Sequence, residues 1–339
     1  MAKVNRQMLI LYALLTLGQM HAHPSWGIVV DDNHNIYFAD LFHHGVGSVW
    51  KLTANGELQL LLRDFHAHNV NLDADGNLIT SNGEGLQYMV RISPAGHQDT
   101  LIQSNDYREF NGGNAAITPR GQIFFGAEKY LWRINEIQQK EKIGDFEFGW
   151  NQTVFADRDG NYYGPDIGGG IGRVIKINPD GMATVFADEL ITKFDRPWDP
   201  HFEVLLGMAE GCGGAIYIAE VAGKRIIRMT DHGEAETYYT AEGYWVPSGL
   251  TFHECDAYIL EFEDHQGYHG PRIVRLTAEG GKSVVFDYDT YQRGQFPGIP
   301  AQEPRHRGDW LAIFGMAGMA ILILTLVRYS RRRVIPRIS

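Results

Sequence analysis

Residues 69–78 read NVNLDADGNL, and the same ten-residue shape returns along the chain. GIVVDDNHNI (27–36) precedes it, and NAAITPRGQI (114–123), TVFADRDGNY (153–162), GMAEGCGGAI (207–216) and GLTFHECDAY (249–258) follow. Each copy opens on a small or polar residue and runs through mostly alternating apolar positions. It then reaches a turn rich in Gly, Asn and Asp and resumes with an apolar residue, the pattern of two strands joined by a tight turn. Successive copies start 42, 45, 39, 54 and 42 residues apart. A period of that size marks a repeated supersecondary unit.

The rest of each unit repeats too. Second strands are expected at IYFAD (36–40), LITSN (78–82), IFFGA (123–127), YYGPD (162–166), IYIAE (216–220) and YILEF (258–262). Third strands are expected at VWKL (49–52), MVRI (89–92), LWRI (131–134), VIKI (174–177), IIRM (226–229) and IVRL (273–276), and a fourth strand closes each unit. Four short strands, six times over, predict an all-β, six-bladed β-propeller with four antiparallel strands per blade, spanning residues 23–288. The first unit begins with a first strand and the last ends with a fourth, so the ring closes without exchanging strands. Residues 190–206 are an insertion on one face.

The units resemble NHL-type repeats and the wider six-bladed group of gluconolactonase-like, strictosidine-synthase-like and virginiamycin-B-lyase-like proteins. The resemblance covers about residues 25–288. It implies a metal-dependent hydrolase or lyase whose divalent cation, Ca or Zn, sits where the first strands enter the ring. In gluconolactonase-like proteins a Glu, an Asn and an Asp hold that ion; in the lyases a trio of His does. The entry positions here are Trp26, His68, Gly113, Gln152, Leu206 and Ser248, with Asn69 and Asn114 one step deeper. They include no carboxylate, and a hard cation needs charged oxygens. Only His68 matches the His trio. The candidate catalytic residues are therefore His68, Asn69, Asn114 and Gln152, and the candidate ligand-binding residues Trp26, His68, Asn114 and Gln152.

Topology places the entries and the second-to-third-strand loops on one face, called upper, and the other two sets of turns on the lower face. Upper loops of blades 1 and 6, neighbours once the ring closes, carry His43 and His44 in one and Asp264 and His265 in the other. His with carboxylate suits a metal or acid–base work, so these four are the metal candidates. Asp40, Asp166 and Glu220 share one repeat position at the end of the second strand, where a carboxylate accepts loop amides and fixes the turn. Cys212 and Cys255 fall on lower turns of adjacent blades, placed either for a disulfide or as two thiols.

The two ends read as addresses. Lys3 and Arg6 followed by apolar Met8–Gly18 predict a signal peptide over 1–22. Trp310–Val327 has 18 residues without a charge and is followed by Arg328, Arg331, Arg332 and Arg333. That predicts one transmembrane helix (310–327) behind a Pro- and Gly-containing linker (289–309), with a cytoplasmic basic tail (328–339) and the propeller outside. Removing the five basic residues of the tail and the two of the signal leaves a net charge of −18 on the remainder. So acidic a surface repels phosphate backbones and excludes nucleic acid as a partner. The sequence thus predicts a membrane-anchored extracytoplasmic propeller that binds a protein or small-molecule ligand through its upper face. The alternative is a metal-dependent hydrolase or lyase.

Overall fold

The computed structural model of the chain describes residues 24–231, 233–264 and 268–294, with the side chains of Asp264 and Tyr268 outside that description. The expected signal, membrane span and basic tail lie outside the described residues. Among the described residues no helix is long and apolar enough to cross a membrane.

Six four-stranded antiparallel sheets follow one another along the chain, each with its strands in sequential order. First strands are Ile28–Val30, Ala67–Leu72, Ala115–Ile117, Phe155–Ala156, Leu205–Glu210 and Trp245–His253. Second strands are Ile36–Asp40, Leu78–Asn82, Ile123–Ala127, Tyr162–Asp166, Ile216–Glu220 and Asp256–Asp264. Third strands are Ser48–Leu52, Gln87–Ile92, Tyr130–Ile134, Arg173–Ile177, Arg225–Met229 and Tyr268–Leu276. Fourth strands are Leu58–Arg63, Gln98–Ser104, Lys140–Lys142, Ala183–Ala187, Ala235–Thr240 and Lys282–Asp287. The chain is an all-β six-bladed propeller. Blade 6 has longer strands than its repeat pattern predicts, because a two-residue turn at Glu254–Cys255 lets pairing run from Trp245 to Glu263.

The strand period of two explains why the blades need one another. In Ile36–Asp40, Ile36 and Phe38 face blade 6, among Tyr258, Leu260 and Phe286. The intervening Tyr37 and Ala39 face blade 2, among Val70, Leu78 and Val90. The same alternation fills the seams between blades 2 and 3, 3 and 4, 4 and 5, and 5 and 6. Phe38, Phe124, Phe125 and Phe286 are wholly buried, each contributing about 1.5–3 kcal/mol against the exposed state. A lone blade would leave both faces wet, so closing the ring drives the fold.

Near the axis the first strands approach closely, which only glycine permits. A Cβ on Gly249 would lie 1.9 Å from the Trp26 carbonyl oxygen, and one on Gly27 would lie 2.4 Å from the Val70 nitrogen. Ser248 Oγ donates to the Ser25 carbonyl at 2.7 Å, joining blade 6 to the entry of blade 1. After the last strand, Asp287 caps a short helix, Tyr288–Gln292, by accepting from the Thr290 amide. Its Tyr288 and Tyr291 are buried in the seam between blades 6 and 1. Residues 289–292, expected in the linker, therefore belong to the folded body.

Cys212 and Cys255 are joined by a disulfide between the lower turns of blades 5 and 6. The basic residues of the third strands pair with neighbouring strands: Arg91 with Asp99, Arg133 with Glu141, Arg228 with Glu236 and Arg275 with Asp256. Lys51 and Lys176 lie over the rings of Tyr37 and Tyr163.

Candidate functional site at the upper mouth

The first strands surround a central cavity of about 380 Å³ whose lining runs from Trp26 and Asn69 to Arg158, Glu210 and Phe252. Arg158 and Glu210 pair at 2.6 Å at the lower end. At the upper end Trp26 is 4% exposed and belongs to the apolar cluster of blades 4 and 5, with Leu205, Leu206 and Val246. The sequence places Trp26 in the mouth as a ligand-binding ring; in the structure it packs into that cluster and also lines the cavity. The reason is tertiary: Gly207 and Gly249 leave room beside Trp26, whose Cβ a Cβ at Gly207 would approach to 3.0 Å and whose carbonyl oxygen one at Gly249 would approach to 1.9 Å.

Two polar groups occupy the entries of the first strands. The first belongs to blade 2. The His68 ring lies 4.7 Å from that of Trp26. Its Nε2 faces His66 Nε2 at 2.9 Å, a separation that makes one ring donor and the other acceptor. His66 Nδ1 in turn lies 3.3 Å from a Glu84 carboxylate oxygen. The His68 carbonyl accepts the Trp26 and Gly27 amides, fixing blade 1 to this entry. Asn69 lines the cavity, and its Oδ1 accepts the Val70 amide.

The second group joins blades 3 and 4. Asn114 is 6% exposed and donates through Nδ2 to Asn151 Oδ1 at 2.7 Å. Asn151 donates to the carbonyls of Thr153 and Pro165, which fixes its orientation and therefore that of Asn114. Asn111 Nδ2 donates to the Gly126 carbonyl. Two acceptors remain: Asn114 Oδ1 and Gln152 Oε1 are buried and have no hydrogen-bond partner among the described residues. The structure thus pairs His68 with Trp26 and His66, and sets Asn114 against Asn151, the residue before Gln152. Asn111 and Asn151 escaped the sequence reading, whereas His66 stands two residues before the entry position His68. The signal was available, since each lies within three residues of an entry position.

The upper-loop metal candidates behave differently. His43 Nδ1 contacts the buried Asp40 carboxylate at 2.7 Å, and its ring lies 3.8 Å from that of Tyr288. The His44 ring meets that of Trp50 at 5.0 Å. His265 and the Asp264 side chain lie outside the described residues. Among the described residues neither His43 nor His44 joins a group of three metal-ligating side chains.

The acids ending the second strands hold the upper loops. Asp166 accepts the amides of Gly149, Trp150 and Gly168 and pairs with Arg173. Glu220 accepts the Thr192 amide and hydroxyl and the Gly223 amide, and pairs with Arg225 at 2.8 Å. Glu261 accepts from Tyr239 and Arg272. Burial pushes the Glu261 carboxyl up, against the pull of Arg272.

No protein-family model and no curated protein sequence matches this chain. Solved structures do resemble it. Virginiamycin B lyase from Staphylococcus aureus matches at 16% identity, over 78% of this chain and 84% of that one, with a TM-score of 0.51. A streptogramin B lyase matches at 13% identity over 79% and 84%, with a TM-score of 0.53. A Bacteroides thetaiotaomicron protein of unknown function matches at 16% identity over 70% and 67%, with a TM-score of 0.55. At such identities the likeness is one of fold.

Proposed function

We propose that the chain is an extracytoplasmic binding propeller, tethered by its apolar segment 310–327, that takes a hydrogen-bond-donating ligand at the upper mouth. The observation that carries this reading is the pair of buried acceptors, Asn114 Oδ1 and Gln152 Oε1, in a frame that Asn151 holds in place. An unmet buried acceptor costs about 1–3 kcal/mol. A ligand N–H or O–H recovers that cost. The net charge of −18 on the chain between signal and tail favours a cationic donor, such as an amine-bearing small molecule or a basic protein segment. The Cys212–Cys255 bridge supports an oxidising compartment outside the cytoplasm.

The alternative, a hydrolase or lyase with a divalent cation at the upper mouth, finds a poor donor set. The entry positions present an indole, an imidazole, an amide, an aliphatic chain and a hydroxyl, and no carboxylate. His68 Nε2 is already engaged by His66. The residues do not fit a hard cation, and no reaction step is derived through one.

The test is a thermal-shift screen of the full chain in detergent against primary amines, amino sugars and basic peptides. The reading expects at least one class to raise the midpoint of the wild type and to lose that effect in Gln152→Met. A screen with no stabilising compound, or hits that act equally on Gln152→Met, overturns it.

A further inference from the structure

On the lower face, far from the upper mouth, His34, His253 and Glu254 bring together ligand atoms that all lie within 4.8 Å of one another. Among the described residues no other group of three His, Cys, Asp or Glu side chains converges in this way. His34 sits in the first turn of blade 1, and His253 and Glu254 sit in the first turn of blade 6. The group therefore straddles the seam where the ring closes with no exchanged strand.

Geometry favours an ion there. Three atoms no more than 4.8 Å apart all lie within about 2.8 Å of some common point, so a contraction of less than about 1 Å reaches the 2.0–2.2 Å of Zn–N and Zn–O bonds. The imidazole rings of His34 and His253 already meet edge to face at 4.8 Å. His253 Nε2 is buried and has no hydrogen-bond partner among the described residues.

The backbone carries a second, separate signal. His34 occupies the repeat position held by Gly76, Gly121, Gly160 and Gly214 in blades 2 to 5, where φ runs from 75° to 86°. His34 adopts φ 60° there, and Glu254 adopts φ 48°. Left-handed backbone is the province of glycine, and a side chain in it is disfavoured by about 1 kcal/mol or more. The blade 1 turn thus places a ligating residue where four other blades use glycine. The turn under His34 is rigid: Asp31 accepts the Asn33 and Asn35 amides, the Asn35 side chain and the Tyr37 hydroxyl. The facing turn is tethered through Cys255 to Cys212.

We propose that His34, His253 and Glu254 bind one borderline divalent cation, with Zn²⁺ as the type, and that this ion staples blade 1 to blade 6. Two imidazoles and one carboxylate are a donor set suited to zinc, with a fourth position open to water. With the adjoining disulfide, the lower face then carries covalent or coordinate links from blade 5 through blade 6 to blade 1.

The experiment uses the full, untagged chain in detergent, stripped with chelator and titrated with Zn²⁺ against a chromophoric competitor. The key variant is His34→Gly, which installs the residue that four other blades use and so leaves the turn foldable. His253→Ala serves as the second variant, and His68→Ala controls for binding at the upper face. The wild type and His68→Ala are expected to take up one more equivalent of Zn²⁺ than His34→Gly or His253→Ala. Affinity in the two variants should fall by more than the ~10–100-fold that loss of an outer-shell partner costs. Co²⁺ should give the wild type the strong visible absorption of a tetrahedral site, and Zn²⁺ should raise the thermal midpoint of the wild type but not of His34→Gly. Equal uptake by wild type and His34→Gly overturns the site. A bound ion that leaves the wild-type midpoint unmoved overturns the staple.

Discussion

Replacing Glu220 by Ala should destabilise the propeller far more than any exposed acid does. Its carboxylate is wholly buried and accepts four hydrogen bonds, from the Thr192 amide, the Thr192 hydroxyl, the Gly223 amide and Arg225 Nε. Truncation strands two amides, each costing about 1–3 kcal/mol when buried without an acceptor. It also leaves Arg225 without its counter-charge, although that side chain is 30% exposed and recovers some hydration. These losses share one site and do not add, so the bound is the ~3–5 kcal/mol typical of breaking a buried pair from one side. In a domain of this size each kcal/mol moves the midpoint by about 2–4 °C, giving a fall of about 10 °C. Glu220→Gln, which keeps an acceptor but no charge, should lose about half as much. The assay is urea unfolding followed by tryptophan fluorescence, with Asp99→Ala as the reference. Asp99 and its partner Arg91 are both 43% exposed, so solvent screens the pair and that loss should be small beside the one at Glu220. A Glu220→Ala cost as small as that of Asp99→Ala would refute the view that second-strand acids fix the upper loops.

Gly249→Ala forces a Cβ to within 1.9 Å of the Trp26 carbonyl oxygen across the closing seam, and should cost about 1–3 kcal/mol or more in urea. Gly213→Ala, with nothing within 4 Å, should stay within about 0.5 kcal/mol. The Cys212–Cys255 bridge spans 43 residues; the double Cys→Ser variant should lose about 2–4 kcal/mol, read as a shift of the urea midpoint without reductant. Burial raises the Asp31 carboxyl, but hydrogen bonds from Asn35, Tyr37 and Asn33 outweigh it and hold the carboxyl below its ordinary value. A depressed acid stabilises the fold above its unfolded pKa of ~3.9 and loses that contribution as pH falls through its folded value. The stability difference between wild type and Asp31→Asn should therefore be full near neutral pH and shrink as pH falls below the unfolded value and through the depressed folded one; a difference that does not change with pH contradicts the assignment.

The repeat made the ring legible because strand period and turn chemistry are local. IYFAD, LITSN and IFFGA coincide with the strands Ile36–Asp40, Leu78–Asn82 and Ile123–Ala127. Side-chain destinations were legible only where both partners sit at repeat positions, as with the acids that end the second strands. Trp26 escaped because whether it faces solvent or a seam depends on the space left by Gly207 and Gly249, more than 180 residues away. The short helix at Tyr288 escaped because its signal, an Asp cap before Tyr-Asp-Thr, is brief and borders a segment read as linker. His34 stands in a lower-face turn, away from the entry positions that drew attention in the sequence. Its significance appears only when the four glycines at its position show what the turn ordinarily requires.

Urea unfolding of Gln152→Met tests the binding claim without knowledge of the ligand. Met fills the same volume and removes the buried oxygen that has no partner among the described residues. If that oxygen waits for a ligand, the unliganded variant should be more stable than the wild type by about 1 kcal/mol. A loss of similar size would mean that the oxygen already serves the fold, and would contradict the account of the upper mouth as a binding site.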